Sequence, residues 1–246
     1  AAVDRGVTKI VLAIGGTATT DAGAGALQAL GAKLLAASGD EIAPGGAALI
    51  HCVSIDTSNL DPRLAGISFT LASDVTNPLL GNNGAARVFS PQKGATPDQV
   101  EILEESLTRF ASLVAGDYAT KSGSGAAGGF GFMAYAFLKA EAASGIDLIL
   151  DLVEFDSKIK GADFIITGEG RFDSQSSQGK APWGILQRAM KSSIPTFLVC
   201  GDADAHQETG FIGIYTLASI EPDIKKCIAN PEPLVSKIGA AIAASL

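Results

Sequence analysis

At 246 residues the chain is long enough to bury a substantial core, as one large domain or two small ones. Its 47% hydrophobic and 18% charged residues describe a folded protein rather than a disordered one, and no apolar run reaches the length of a membrane span. A net charge of −8 without a basic cluster excludes a nucleic-acid or anionic-membrane surface, so an anionic ligand would need a nest of backbone N–H groups, a placed Lys or Arg, or a metal ion.

Cys52, Cys200 and Cys227 show no CxxC spacing and make no disulfide framework, and no signal peptide is evident, so a cytoplasmic protein is expected. The chain opens without Met on a helical-looking stretch, Ala1–Gly6, from which an N-terminal truncation is expected.

Thr8–Ile14 reads as a buried strand closed by Gly15 and Gly16. Thr17 to Gly25 then leads into a helix with Leu27, Leu30 and Leu34 on one face. Strand, small-residue loop and helix start make an anion-binding arrangement, in which Thr17, Thr19 and Thr20 can donate to phosphate oxygens. Asp21 either caps the helix or holds a cation. The stretch 32–60 reads as short strands and loops, and Ile67–Ala72 as a strand that delivers Asp74 and Asn77 to its end. There a carboxylate and an amide can face a ligand, although Asn77-Pro78 is also turn chemistry.

Phe89–Ala95 is a polar loop with one lysine, Lys93, and Thr96-Pro97-Asp98-Gln99 is a capping box with Pro at the first helical position. The helix it opens carries Val100, Leu103, Leu107, Phe110 and Val114 at helical spacing, a stripe read as core. Lys121–Gly131 is a glycine cluster, either an interdomain linker or a close approach to a nucleotide, and Phe132–Ala143 reads as helix. A domain transition is expected there, giving domains 1–122 and 123–246.

Beyond Ile146 the pattern alternates: strand 148–150, short helix 155–159, strand 164–166, helix 181–191, strand 196–200, weaker strand 212–217. A C-terminal helix follows from Asn230, with Leu234, Val235, Ile238 and Ile242 inward. Such alternation implies a parallel sheet. The connection 167–180 carries Glu169, Arg171 and Asp173 alternating along an extended loop, then Lys180 at a helix start. The two acids can share a side and hold Mg²⁺, or one can take a proton from an attacking hydroxyl, while Lys180 suits phosphate and Arg171 a carboxylate. The bland alternative is a solvated loop whose charges satisfy one another. His51 is read as structural, Asp202–His206 as a polar loop without zinc spacing, and no cysteine is placed for nucleophilic catalysis.

In order, the motifs Ile14–Asp21, Ser73–Leu79, Phe89–Ala95, Gly123–Gly129 and Gly168–Gln175 continuing to Gly179-Lys180-Ala181-Pro182 resemble the bacterial glycerate kinase family of the glycerate 2-kinase type. The resemblance covers essentially the whole chain. It departs at Thr17 and Thr20, where the family usually has Ser and Asn, at Ala22 and Ser90, where Gly is common, and at Ser177-Gln178. The family's initial strand and its Asp-Ser-Phe-Lys type motif are not in this chain.

The resemblance implies a Rossmann-like three-layer α/β domain with a parallel sheet, here 123–246 without its first part, plus a second, inserted-type α/β domain, 1–122, with the active site in the cleft between them. It implies ATP- and Mg²⁺-dependent phosphorylation of D-glycerate to 2-phosphoglycerate by a monomer or homodimer. A nucleotide-binding fragment without catalysis, or a kinase for another small hydroxy acid, is the alternative. The expected catalytic residues are Asp173, Glu169, Asp74, Arg171 and Lys180, with Asp173 and Glu169 on the metal. Gly15, Gly16, Thr17, Thr19, Asp21, Gly125, Gly128, Gly129, Gly168 and Gly170 are expected at ATP, and Asn77, Lys93, Ser174 and Gln175 at the substrate.

Overall fold

Strand β1 (Lys9–Ala13) alternates in exposure, turning Ile10 and Leu12 toward the core, and its exit loop enters the short helix α1 (Ala24–Ala29). That helix ends earlier than its leucine spacing suggests. Gly31 adopts φ +112°, and Leu34 belongs instead to β2 (Lys33–Leu35), which pairs antiparallel with β3 (Ser54–Asp56). Strand β4 (Ser68–Ala72) runs parallel to β1, with Ile10 opposite Phe69 and Leu12 opposite Leu71. Helix α2 (Ala85–Phe89) follows. Helix α3 (Pro97–Ser112) then opens on the expected box: Thr96 Oγ1 accepts from the Gln99 N–H, and Gln99 Oε1 accepts from the Thr96 N–H. Helix α4 (Ala126–Phe137) leads to β5 (Glu141–Ala143), which pairs in parallel with β4, so the helix expected through Ala143 stops short of it.

The structure describes residues 1–173, 180–204 and 210–246, and these divide into two units, Ala1–Ala143 and Ser144–Leu246. The glycine cluster at 123–131, where the sequence suggests a domain transition, is instead built into the first unit's interior. The Gly125 N–H donates to Asn77 O at 2.9 Å, and the Ala22 N–H donates to Gly128 O at 3.0 Å. A Cβ on Gly128 would strike the Thr19 carbonyl, and one on Gly129 would lie 2.6 Å from Ala22 Cα. Ala127, Gly128 and Gly129 take φ +53°, +68° and +93°, so α4 is entered through a left-handed turn that lets three backbones cross at contact distance. Beyond that turn α4 is apolar on every side. Phe132, Met133, Ala134 and Tyr135 are buried in a core shared with Leu27, Leu71, Leu79, Leu107 and Phe110.

The second unit begins with α5 (Gly145–Leu152) and α6 (Phe155–Lys158). A strand at 148–150 is therefore corrected to helix. Leu150 is buried, Ile146 four residues earlier packs on Gly184, and Asp147 and Asp151 reach one arginine, a pattern of helical and not alternating period. Strands β6 (Ile165–Phe172), β7 (Thr196–Ala203) and β8 (Gly213–Thr216) form a parallel sheet in the order β6-β7-β8, with α7 (Ala181–Lys191) connecting the first two. Phe197 on one sheet face packs with Cys227 of α8 (Ile224–Ala229) and with Ile238 and Ile242 of α9 (Glu232–Ser245). Leu198 and Cys200 turn the other way, toward Phe172. Val235, expected inward, is 47% exposed. Arg188 of α7 is held by Asp147, Asp151 and Asp156, which fastens α5 and α6 to α7.

Both units are thus α/β, each around a small parallel sheet. Among the described residues no helix is long and apolar enough to cross a membrane. The crossing at Gly128 makes a stability prediction. Gly128→Ala combines a left-handed alanine with a methyl driven into the Thr19 carbonyl, and should cost about 2–5 kcal/mol in denaturant unfolding. Gly15→Ala, with an ordinary φ and open space, should cost less than about 1 kcal/mol. Equal losses would contradict the packing described.

Candidate functional site

Parallel strands deliver their loops to the carboxyl end of the sheet, where open α/β proteins bind ligands. The loop leaving β1 there has an unusual feature. Among the described residues the backbone N–H groups of Gly16, Thr17, Ala18, Thr19 and Thr20 donate to no protein acceptor. A run of amides without a protein acceptor can offer an anion fixed positive partial charge that needs no basic side chain. The run ends where Asp21 takes over: its Oδ1 accepts from the Gly23 N–H at 3.1 Å and its Oδ2 from the Gly25 N–H at 3.0 Å. Asp21 is 8% exposed and is spent on capping the entry to α1, which favours the capping side of its two sequence readings.

Lys93 reaches this loop from the turn after α2, its Nζ donating to Thr19 O at 2.6 Å. Among the described residues it has no carboxylate at ion-pair distance, and burial pushes its pKa down, with the charge of Asp21 opposing. A half-buried ammonium held on a carbonyl beside unpaired amides is a place for an anion. The loop is a ridge between two cavities, and Lys93 lines both. One, of about 420 Å³, lies over the strand ends among Gly16, Thr17, Gln92 and Gly128. The other, of about 510 Å³, lies toward α3 among Thr19, Gly46, Ile102 and Leu103.

The expected residues of this unit fall into groups. Gly16, Thr17, Thr19, Gly128 and Lys93 meet at the ridge, with Gly15 at its start, although Thr17 Oγ1 donates back to Ile14 O at 3.1 Å. Gly125 and Gly129 serve the backbone crossing. Asn77 does the turn work its Pro neighbour suggests: its Nδ2 donates to Asn83 O at 2.8 Å. Asp74 is exposed just past β4.

In the second unit the first part of the stretch 167–180 read as an extended loop, through Phe172, is the end of β6. Strand periodicity puts Glu169, Arg171 and Asp173 on one side, and the two acids do converge. Lys180, at the start of α7, sits 3.3 Å from Glu169 Oε2 and 3.4 Å from Asp173 Oδ1, and donates to Arg171 O at 3.4 Å. Burial works against its charge, but the hydrogen bonds and charges of Glu169 and Asp173 prevail and raise its pKa. Arg171 points its guanidinium at Asp204, 3.1 Å away. Gly168 and Gly170 lie on β6, with Gly168 backed against the Val199 carbonyl of β7. Ser174 and Gln175, like His206, lie outside the described residues. Cys200, beside Glu169 on the neighbouring strand, is a thiol: burial, then the charges of Glu169 and Asp202, push it up to about 11.

Glu169 is the more buried member of the acid pair, with its side chain 13% exposed, and its Oε1 is enclosed without a hydrogen-bond partner among the described residues. An orphaned carboxylate oxygen beside a second carboxylate matches the one or two acids Mg²⁺ takes from a protein. Among the described residues no group of three or more His, Cys, Asp or Glu is gathered to hold a metal. The donor set therefore suits a cation that completes its shell with water and phosphate.

Sequence reasoning missed Gly46, Gln99, Ile102 and Leu103 as cavity residues. Leu103 was assigned to the core by helical spacing, and it serves both sides. The available signal was Ile102, which breaks the charged face of α3 at 48% exposure.

Two α/β units, each with strand-end loops, present a run of backbone amides without a described protein acceptor and a lysine-bridged acid pair. The family model described as "Glycerate kinase family" matches residues 1–246, and the chain belongs to that family. It is 39% identical to a glycerate kinase of Bacillus subtilis (strain 168), covering 100% of this chain and 66% of the relative. It is 45% identical to the glycerate 2-kinase of Escherichia coli (strain K12), covering 81% of this chain and 54% of the relative. The crystal structure of a protein assigned as glycerate kinase 2 from Salmonella typhimurium LT2 superposes with a TM-score of 0.81 at 42% identity, over 99% of this chain and 67% of that one. The chain thus spans 54% to 66% of the length of these two curated relatives.

The two lysines should titrate in opposite directions. A depressed pKa means that Lys93 loses its proton at lower pH than an ordinary lysine, and a raised one means that Lys180 holds it to higher pH. Competitive acylation between pH 7 and 11 should show Lys93 gaining reactivity first. Glu169→Gln should move the Lys180 transition down and leave that of Lys93 in place. The reverse order would contradict the pairing.

Proposed function

We propose that the protein is a glycerate 2-kinase, transferring the γ-phosphoryl group of ATP to the 2-hydroxyl of D-glycerate to give 2-phosphoglycerate and ADP. The observation that carries this reading is the run of unpaired amides from Gly16 to Thr20 with Lys93 on it, a phosphate site in a chain of the glycerate kinase family. Phosphoryl transfer asks little covalent chemistry of a protein and much positioning and charge stabilisation, which such a site supplies.

The amides and Lys93 bind the polyphosphate and hold its charge at fixed geometry. Glu169 and Asp173 are the residues that would hold Mg²⁺, which when bound would neutralise charge on the phosphates. In the transfer the bond from γ-phosphorus to the bridging oxygen breaks, a bond to the glycerate oxygen forms, and the hydroxyl proton passes to a carboxylate. Asp173, the more exposed acid at 26% against 13%, is assigned that proton. Lys180, in contact with both carboxylates, compensates their charge. The activity is that of the whole protein, of which relatives are longer.

A second reading, nucleotide binding without transfer, is favoured by one observation: Lys180 already neutralises the acid pair. Glycerate-dependent release of ADP separates the two, and a panel of small hydroxy acids tests the acceptor. In the full-length protein, Asp173→Asn should lower turnover by about 10²–10⁴ with the thermal unfolding midpoint preserved. Near-normal turnover would remove Asp173 from the chemistry.

A further inference from the structure

The cavity toward α3 is larger and less polar than phosphate or a three-carbon acid requires. At about 510 Å³ it is in the range of pockets that enclose whole small molecules. Its walls are Ala18, Ala47, Ala95 and the side chains of Ile102 and Leu103, and its charged residues are Lys93 and the capping residue Asp21, whose carboxylate is already spent. Ile102 is 48% exposed and stands apart from the hydrophobic core, on the side of α3 that carries Asp98 and Glu105 at helical spacing. Leaving that side chain in water forgoes the stabilisation that burial would give. Opposite it the wall is drawn in tightly. A Cβ on Gly46 would strike the Thr20 carbonyl and lie 2.8 Å from Leu103 Cδ2, so the segment 45–47 is wedged between the amide loop and α3.

Lys93 lines this cavity and the smaller one over the strand ends, and its ammonium rests on the ridge between them. A ligand with an apolar, ring-bearing end and a polyanionic end would place the first among Ile102, Leu103 and Ala95. Its second end would meet the amides of Gly16–Thr20 and Lys93. We propose that the α3 cavity receives the nucleoside of the nucleoside triphosphate, so that the first unit holds the nucleotide across the Thr17–Thr19 ridge. This placement rests on the phosphate-binding reading above and adds the residues that hold the base.

Calorimetric titration of the 246-residue chain with ATP, adenosine and inorganic tripolyphosphate tests it. Ile102→Asn, at a half-exposed position that the fold does not depend on, should weaken ATP and adenosine about tenfold while tripolyphosphate stays within about twofold. Ala95→Phe, which fills the cavity without touching the loop amides, should act in the same selective way. Lys93→Met should weaken ATP and tripolyphosphate together. If either cavity variant leaves ATP unchanged, or weakens tripolyphosphate as much as ATP, while Lys93→Met still weakens both, the base lies elsewhere and only the present inference falls. If glycerate binding is lost in place of ATP, the cavity belongs to the acid and the inference is overturned. If the parent chain binds neither ATP nor tripolyphosphate, the phosphate reading falls and takes this one with it.

Discussion

Everything in the first unit depends on one backbone crossing. The exit loop of β1, the turn after β4 and the entry to α4 meet at a spacing that admits no Cβ: Gly128 abuts the Thr19 carbonyl and Gly129 abuts Ala22. The crossing has two consequences. It lets α4, apolar all round, pass beneath the loops and serve as the centre of the core. It also fixes the backbone of Thr19 and Ala22, at the end of a loop whose Gly16–Thr20 amides have no protein acceptor among the described residues. Packing and binding are the same feature seen from two sides.

In a chain of net charge −8, binding a polyanion requires local arrangements stronger than the long-range field. The protein uses two different ones. At the β1 loop the positive charge is largely backbone, with a lysine whose ammonium is destabilised by burial and which gains from any anion that arrives. At the end of β6 the lysine is instead shared between two carboxylates, which stabilise its charged form and are in turn held close together. The first arrangement leaves a lysine without a described carboxylate partner, and the second holds one between two carboxylates.

Much of this was readable from residues. The strands β1, β4 and β7, the capping box of α3 and the glycine-bearing loops follow from period, turn chemistry and capping, which are local properties. The elements that escaped are those decided by distant partners. Residues 148–150 look like a strand until Arg188 and Gly184 show which face of a helix is needed. The glycine cluster at 123–131 looks like a linker because flexibility and close packing demand the same residue, and the sequence does not say what lies opposite. At the end of β6, Glu169 and Asp173 share a side as their alternation along an extended stretch suggests, while Lys180 reaches them from the start of α7. Ile102 and Leu103 were missed because a helical stripe reads as core whether or not part of it borders a cavity. Arg171 was visible as chemistry, but Asp204, to which it pairs, follows the end of the neighbouring strand.

Among the described residues the amides of Gly16–Thr20 have no protein acceptor, and the proposed phosphate site rests on them. Backbone amide NMR of the chain titrated with inorganic tripolyphosphate reads those protons one by one. The account predicts saturable downfield shifts concentrated at Gly16, Thr17, Ala18, Thr19 and Thr20, with slowed exchange of the same protons. Saturable shifts that leave this loop untouched, or no saturable shift at all, would contradict it.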